Sequence, residues 1–247
     1  MSDVKQNYHA ITLDKRDIGE MDRLYTFYTL ENGLMRVPAR SIRRGEAKLA
    51  AQVEDFVFSH ITIAKNYGRG TLVGAVAEEY FNDLRGSYGA LLCVDHARKV
   101  LLSVIGEHDR DQKIFALLVA YLQKMEQLSR KERSTQIDEQ MWWMTYAFLI
   151  QLFESQGYVF DAKTCTLCRE CPDVFTRNLF DARCGGLVCV HCAKDKNDVC
   201  AIDVDTIKSL RIIYDNHIDV LSKVIIHKDV NRQLGNIVAH IERWVMR

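Results

Sequence analysis

The strongest constraint on the fold of this 247-residue chain is a short window rich in cysteine. Six of its eight cysteines fall there, and two Cys-x-x-Cys pairs bracket most of the window. One such pair supplies two ligands to a tetrahedral zinc ion from a single tight turn, so two pairs at this separation form a complete site. The sequence therefore predicts a zinc element at about 163–196, with the ligands Cys165, Cys168, Cys189 and Cys192.

A second set of ligands is compatible with the same window. Cys171 forms an overlapping Cys-x-x-Cys pair with Cys168, and its separation from the second pair is acceptable. Cys184 and Cys200 lie near enough in the sequence to compete, and His191 lies inside the second pair. The set containing Cys171 therefore stays open at this point.

The composition favours a globular protein of the cytoplasm. Hydrophobic residues make up 48% of the chain and the formal net charge is zero, so affinity for nucleic acid would have to come from a local patch. The N-terminal residues lack the pattern of a signal peptide, and no apolar run reaches the length of a membrane span. We therefore expect a soluble cytoplasmic protein without membrane association, in a compartment where clustered cysteines hold metal more often than disulfides.

The predicted metal is structural. A catalytic zinc keeps one coordination position open, whereas four thiolates close the site. Zinc deaminases place His-x-Glu ahead of their cysteines, but the only such triplet here, His240-Ile241-Glu242, follows them. No paired carboxylates or Ser-His-Asp arrangement stands out either. The sequence thus predicts bound Zn²⁺ without enzymatic activity.

The periodicity of apolar residues changes once along the chain. Short runs rich in β-branched and aromatic residues, separated by turn signals, fill residues 8–81 and predict a small antiparallel sandwich or barrel. Helical spacing then dominates on both sides of the cysteines, with Asp205 and Asp229 as candidate N-caps. We predict an α+β chain with a β domain at 1–82 and a helical domain at 83–247.

A basic stretch follows the third predicted strand. Five cations surround the single acid Glu46, and arginines on a barrel face give salt-sensitive binding of phosphates without sequence preference. The alternative is a solvated edge with scattered guanidinium groups, and the stretch alone leaves both open. Its cations are Arg36, Arg40, Arg43, Arg44 and Lys48.

Other features favour ordinary structural roles. Trp142 and Trp143 lie on a predicted helix, where packing in the core is the usual explanation, and Cys93 is predicted to be a small buried side chain. Gly68-Arg69-Gly70 lacks the Gly-Lys-Ser/Thr of a phosphate-binding loop and predicts a hairpin turn.

The N-terminal string ITLDKRDIGEMDRLYTFYTLENGLMRVPARSIRR resembles the signature of the bacterial RecO family, in which an apolar strand precedes Arg-Asp-x-Gly-Glu-x-Asp-Arg-Leu. SQGYVFDAKTCTLC and GGLVCVHC are similar to the Gly-Tyr…Cys-x-x-Cys and Gly-Gly-Leu-x-Cys-x-x-Cys elements of that family. The chain differs from the family at Pro38-Ala39-Arg40-Ser41, where Ala-Lys-Gly is usual, and its zinc loop carries extra residues, Cys171 among them. The likeness extends from about residue 8 to 192 in the same domain order.

The resemblance implies an oligonucleotide/oligosaccharide-binding (OB) barrel, a helical domain and a zinc element inserted between helices. Proteins of this family are not enzymes: they bind single- and double-stranded DNA, anneal complementary strands and recognise the C-terminal tail of single-stranded DNA-binding protein (SSB). With RecR they help RecA replace SSB on single strands, and the participation of RecF stays open. The residues that we predict to contact DNA are Arg16, Arg23, Arg36, Arg40, Arg43, Arg44, Lys48 and Arg69.

Two other functions fit the same residues less well. One is an RNA-binding protein built from an OB barrel and a zinc element. The other is a zinc hydrolase or deaminase acting on nucleic acid, which would need an open position on the metal.

Overall fold

The computed structural model describes residues 4–42, 47–65, 70–170, 178–193 and 198–246. It divides into two compact units, the first made of Met1–Gly86 with Ile105–Glu126 and the second of Ser87–Val104 with Gln127–Arg247. The chain thus crosses between the units more than once. The α+β class predicted from the sequence is confirmed, whereas a single domain boundary at 82/83 stays a prediction.

Five antiparallel strands form the sheet of the first unit. Their spatial order is β3-β2-β1-β4-β5, and the two edge strands, β3 and β5, contact each other, so the sheet curls into a barrel. This arrangement agrees with the five-stranded barrel of the OB-fold. The strands are β1 (Val4–Ile18), β2 (Asp22–Thr29), β3 (Gly33–Ala39), β4 (Phe58–Lys65) and β5 (Thr71–Glu79).

Alternate residues of these strands form the core of the barrel. Tyr25 and Phe27 on β2 and Met35 and Val37 on β3 are buried inside it, as the period of two along a strand requires. The short helix α1 (Ala47–Gln52) adds two partly buried side chains to the same core. The opposite faces of β2 and β3 are therefore free to contact other groups.

The first unit also contains the short helix α2 (Asn82–Gly86) and, later in the chain, the segment Ile105–Glu126, which includes most of α4 (Gln112–Ser129). This later segment covers part of the outer face of the barrel. The Tyr28 hydroxyl donates to the backbone oxygen of Asp111 at 3.3 Å, and the rings of Tyr28 and Phe115 lie 6.3 Å apart. These contacts leave the other end of the outer face uncovered by this segment.

Helix α5 is the central element of the second unit. It contacts four other helices and is apolar on nearly all sides, which is typical of a buried helix. Trp143 illustrates its packing, because its indole N–H donates to the backbone oxygen of Leu221 at 2.9 Å. The helices of this unit are α3 (Tyr88–Val104), α5 (Thr135–Ser155), α6 (Val204–Asp215), α7 (Ile218–Leu221) and α8 (Lys228–Val245).

A small three-stranded sheet lies between α5 and α6 in the sequence, in the order β7-β6-β8. The predicted N-caps are wrong: Asp203 caps α6 by accepting from the Thr206 amide, and His227 is the N-cap residue of α8. The strands are β6 (Asn178–Asp181), β7 (Gly186–Val188) and β8 (Cys200–Ile202). Within the described ranges, no helix has both the length and the apolarity to cross a bilayer.

Candidate nucleic-acid interface and metal centre

The outer face of β1, β2 and β3 carries cations beside partly buried apolar residues. Arg16 lies opposite Leu24, and Leu24 lies opposite Pro38. Directly opposed residues of antiparallel strands project to the same face, as do residues two apart on one strand, so Arg36 belongs to this face too. Both arginines are exposed. They lie on the barrel surface that OB-folds use to bind oligonucleotides.

Arg40 extends the cationic region beyond the end of β3. The amide of Ser41 donates to Asp22 Oδ1 at 2.8 Å, which ties this turn to the start of β2. Arg40 and Lys48, the latter near the start of α1, are both exposed. Across the described residues, neither of them nor Arg16 has an ion-pair partner, so their charges are available to an anionic ligand.

Two other predicted arginines are paired with exposed carboxylates. Arg23 Nε donates to Asp17 Oδ1 at 2.7 Å, and this hydrogen bond raises the pKa of Arg23 above its ordinary value. Arg36 pairs with Glu107. Exposed ion pairs contribute about 0–1 kcal/mol, so a phosphate can replace either carboxylate at small cost. Arg36 therefore remains in the candidate interface. Arg23 lies opposite the buried Ala39, on the same face of β2 as Tyr25, and not on this outer face, so its contact with DNA stays a prediction.

The remaining predicted contacts are Arg43, Arg44 and Arg69. All three lie outside the described residues, so their part in the interface stays a prediction.

The structure brings together the four cysteines that the sequence analysis favoured. The Sγ atoms of Cys165, Cys168, Cys189 and Cys192 all lie within 4.8 Å of one another, and those of Cys168 and Cys189 are 3.9 Å apart. A disulfide would need about 2.05 Å. A tetrahedral zinc with Zn–S bonds of about 2.3 Å would place its sulfurs roughly 3.8 Å apart. The cluster therefore has the donor type and the spacing of a four-thiolate metal site.

Local backbone contacts build the first cysteine turn. Asp161 accepts hydrogen bonds from the amides of Lys163 and Thr164 at 2.6 and 3.0 Å, just ahead of Cys165. Burial opposes the ionisation of Asp161, but these donors outweigh it and lower its pKa. The carboxylate thus directs the chain into the turn that carries Cys165 and Cys168.

The second turn is held against the first by Gly186. Its φ is +138°, and a Cβ there would lie 2.3 Å from the backbone oxygen of Asp161. The Leu187 amide donates to that same oxygen at 2.9 Å, which fixes β7 beside the first turn. A larger residue at position 186 would separate the two halves of the site.

The thiols of the cluster differ in how readily they ionise. Burial opposes the ionisation of Cys165, but amide donors, including that of Cys189 at 3.3 Å, lower its pKa to about 6. The neighbouring Cys189, by contrast, raises the pKa of Cys192 to about 12. Four adjacent thiols cannot all ionise without a compensating charge, and a divalent metal ion supplies that charge.

The other cysteines have separate surroundings. The Cys184 thiol donates to Asp181 Oδ2 at 3.2 Å, and the Cys200 thiol donates to the backbone oxygen of Asn236 at 3.6 Å. Cys171 lies outside the described residues, so its place as an alternative ligand stays open.

A buried polar cluster lies beside the metal centre. Asp181 and His240 are 0% and 2% exposed, with His240 Nε2 3.8 Å from Asp181 Oδ1 and His240 Nδ1 3.4 Å from Asp198. Asp181 also accepts from the Arg183 amide at 2.9 Å. Sequence reasoning missed this cluster because its members are far apart in the chain; the only signal was the aspartate immediately before Ala-Arg-Cys.

Comparisons with known proteins identify the family. Residues 1–80 match the family model for the N-terminal part of recombination protein O, and residues 85–245 match that for its C-terminal part. The DNA repair protein RecO of Dehalococcoides mccartyi is 25% identical over 237 residues, which cover 96% of this chain and 89% of the relative.

Two further RecO proteins agree with this assignment. That of Gloeobacter violaceus is 24% identical and covers 83% of this chain and 76% of its own length, whereas that of Myxococcus xanthus is 27% identical and covers 83% and 79%. The two family models together cover nearly the whole sequence in the expected order, so the chain belongs to the RecO family of DNA repair proteins.

Proposed function

We propose that this protein is a recombination mediator that binds single- and double-stranded DNA, anneals complementary strands and, with RecR, helps RecA load onto SSB-coated single strands. The observation that carries the proposal is the exposed cationic face of the barrel in a chain of the RecO family. Arg16 and Arg40 carry charges there without a carboxylate partner among the described residues.

The physics of annealing suits this face. Two strands approach each other only when the repulsion between their phosphates is reduced, and this needs neither base recognition nor bond cleavage. The chain has a formal net charge of zero, so neutralisation must be local. Leu24 and Pro38, half-buried between Arg16 and Arg36, add an apolar surface that the sugars and bases of an unstacked strand can contact.

We infer that the four-cysteine cluster binds Zn²⁺ in a structural role and that the protein is not an enzyme. Four thiolates would fill a tetrahedral site and leave no position for a reacting water. A deaminase mechanism would require His240 and Glu242 to act at the same metal site. They contact different groups, because His240 faces Asp181, whereas Glu242 lies beside His96.

The proposed partners follow the family assignment. They are DNA, RecR, the acidic C-terminal tail of SSB, and RecF and RecA within the same process, which we place in the bacterial cytoplasm. The tail of SSB ends in apolar residues after acidic ones, so it would need an apolar pocket with basic residues at its rim.

A strand-annealing assay on SSB-coated complementary oligonucleotides tests the proposal. We expect the protein to accelerate annealing without nucleotide hydrolysis, because charge neutralisation alone brings the strands together. No acceleration at any protein concentration would contradict a mediator role. Competition between single-stranded DNA and RNA of equal length, won by RNA, would support the RNA-binding alternative instead.

Substitution of the metal with cobalt separates the structural from the catalytic assignment. We expect the absorption of a tetrahedral four-sulfur site that does not change when nucleotides are added. A spectrum with fewer than four sulfurs and a bound water would favour the hydrolase or deaminase alternative.

A further inference from the structure

The second unit contains a cavity that is lined by none of the residues of the four-cysteine cluster or of the barrel face. It has a volume of about 370 Å³ and lies among α3, α5 and α8. This volume is at the lower end of the range of about 300–1,000 Å³ that is typical of small-molecule sites. The cavity is therefore large enough for one flat, drug-sized group.

One wall of the cavity is aromatic. Trp142 and Tyr146, one turn apart on α5, have ring centroids 5.5 Å apart and stack at 27°, and the His96 ring lies 6.0 Å from Trp142. Both residues of α5 are only partly buried. Trp142 is thus not a core residue like its neighbour Trp143, and the prediction of core packing is wrong for this member of the pair.

Helix α8 forms the opposite wall, where Gly235 has no side chain that would fill the cavity. A Cβ at that position would lie 2.8 Å from the Tyr146 hydroxyl oxygen. Burial raises the pKa of Tyr146 to about 12, so the hydroxyl is protonated at neutral pH and can donate to a ligand. A side chain at position 235 would push Tyr146 away and narrow the cavity.

The two ends of the cavity carry opposite charges. Arg232 and Glu242 both line it and are ten residues apart on α8, which places them about 15 Å apart along the helix axis. Glu242 Oε1 is buried and lies 3.1 Å from His96 Nε2. The exposed Arg232 pairs with Asp229 Oδ1 at 3.0 Å. Because an exposed ion pair contributes about 0–1 kcal/mol, an anionic ligand can replace Asp229 at this end of the cavity.

We propose that this cavity binds a single nucleotide of unpaired DNA, with the base stacked on Trp142, the phosphate at Arg232 and an amino-bearing base edge at Glu242. The inference rests on the proposed function in that it takes DNA to be the ligand. Aromatic side chains commonly receive splayed bases in this way, and carboxylates accept hydrogen bonds from exocyclic amino groups. Thymine carries a carbonyl oxygen where cytosine carries its amino group, so the site disfavours thymine.

An acidic peptide suits the cavity less well. Its carboxylates would be attracted to Arg232 but repelled by Glu242, which lines the same space. A nucleotide has a single anionic end and a base that can donate at the other. The distribution of charge therefore favours the nucleotide over a peptide with several acidic residues.

Titration of the full-length protein with deoxycytidine monophosphate, followed through the three tryptophan indole N–H signals, tests the proposal. We expect the Trp142 signal, assigned with Trp142→Phe, to shift while those of Trp143 and Trp244 do not, and we expect thymidine monophosphate to bind several-fold more weakly. Arg232→Ala should weaken binding about tenfold, because it removes the phosphate contact. The matched control Arg243→Ala, on the same helix but outside the cavity, should leave binding unchanged.

The outcomes separate this inference from the proposed function. Absence of any Trp142 shift with nucleotides, or a shift only with an acidic, apolar-ended peptide, would overturn the nucleotide site and leave DNA binding by the barrel untouched. A variant carrying Arg16→Gln and Arg40→Gln should still show the nucleotide shift while its binding of longer single strands weakens. Equal loss of both in that variant would also overturn the inference.

Discussion

The barrel and the cysteine element differ in what stabilises them. Among the described residues, the barrel encloses a core of twelve buried side chains, Tyr25 and Phe27 included. The described cluster around the four cysteines contains three buried residues, and one of these, Cys165, is a proposed metal ligand. Burial of apolar area can account for the barrel, whereas so small a cluster needs another source of stability. Packing thus stabilises one region of the chain, whereas we expect the other region to depend on a bound metal ion.

Removal of the metal should have the largest effect and should act on one region alone. Metal binding contributes about 10–16 kcal/mol to the folding of isolated zinc-finger peptides at neutral pH, so chelation should unfold the cysteine element. We expect hydrogen exchange in residues 161–193 to lose its protection while β1 to β5 keep theirs.

The matched variants for this test are Cys189→Ser and Cys184→Ser. The first should reproduce the effect of chelation, because it removes a proposed ligand; the second should not, because the Cys184 thiol bonds to Asp181 outside the cluster. Protection that survives chelation in the cysteine element would break the comparison.

Truncation of a core side chain tests the barrel. Phe27 is fully buried, so Phe27→Ala should lower the free energy of unfolding of the barrel by about 3–5 kcal/mol. Urea unfolding followed by β-sheet circular dichroism should give the same loss with and without zinc. Val76→Ala, at a position that is 67% exposed, is the control and should change stability by less than about 0.5 kcal/mol. A loss that depends on zinc would show that the two regions are not stabilised separately.

Substitution of Asp181 tests whether contacts other than metal binding stabilise the cysteine element. Asp181→Ala would leave the Arg183 amide without its acceptor and remove the carboxylate that lies 3.8 Å from the buried His240 Nε2, and we expect a loss of about 2–4 kcal/mol in unfolding free energy. Asp198→Ala, at a half-exposed position, should cost less than about 1 kcal/mol. Equal losses of stability in the two variants, measured by thermal unfolding at saturating zinc, would contradict a stabilising role of the buried cluster.

The N-cap of α6 gives the smallest expected effect. Asp203→Ala should destabilise the second unit by about 1 kcal/mol, because the Thr206 amide loses its acceptor, whereas Asp205→Ala should not. Burial opposes the ionisation of Asp203, but hydrogen bonds from Thr206 outweigh it and lower its pKa. The difference between wild type and variant should thus be complete above about pH 4 and decline as the pH falls through the lowered pKa. A difference that grows on acidification would contradict this cap.

The sequence predicted the barrel well because its strands are apolar runs rich in β-branched and aromatic residues, separated by turn signals. Leu24–Thr29 and Leu34–Val37 fall inside β2 and β3, where residues of one face pack in the core and Tyr28 of the other face packs against the later segment of the unit. Strand β1 is longer than the apolar run Ala10–Leu13 indicates, because backbone pairing with β2 and β4 extends it through charged residues at both ends. The order of apolar and polar residues along one strand does not show which strands it pairs with, so the full length of β1 could not be predicted.

The second unit was harder to predict in detail. Strands β6 to β8 have only three or four residues each, too few for a period to be seen. Trp142 and Trp143 are adjacent yet have different environments, because a helix turns each residue about 100° from the last. The ligand cysteines could be anticipated from their spacing, but the supporting residues Asp161 and Asp181 could not, because their roles depend on long-range contacts.

The salt dependence of single-stranded DNA binding tests the central claim, that cations on the outer face of the barrel bind phosphates. Each phosphate contact on a single strand contributes about −0.7 to the slope of log K against log salt. Arg16→Gln with Arg40→Gln should therefore weaken binding at low salt and make the slope less steep by roughly 1.4. Lys5→Gln with Lys65→Gln, at the opposite end of β1 and on its partner strand, should leave the slope unchanged. An unchanged slope in the arginine variant, or an equal change in the lysine control, would contradict the account.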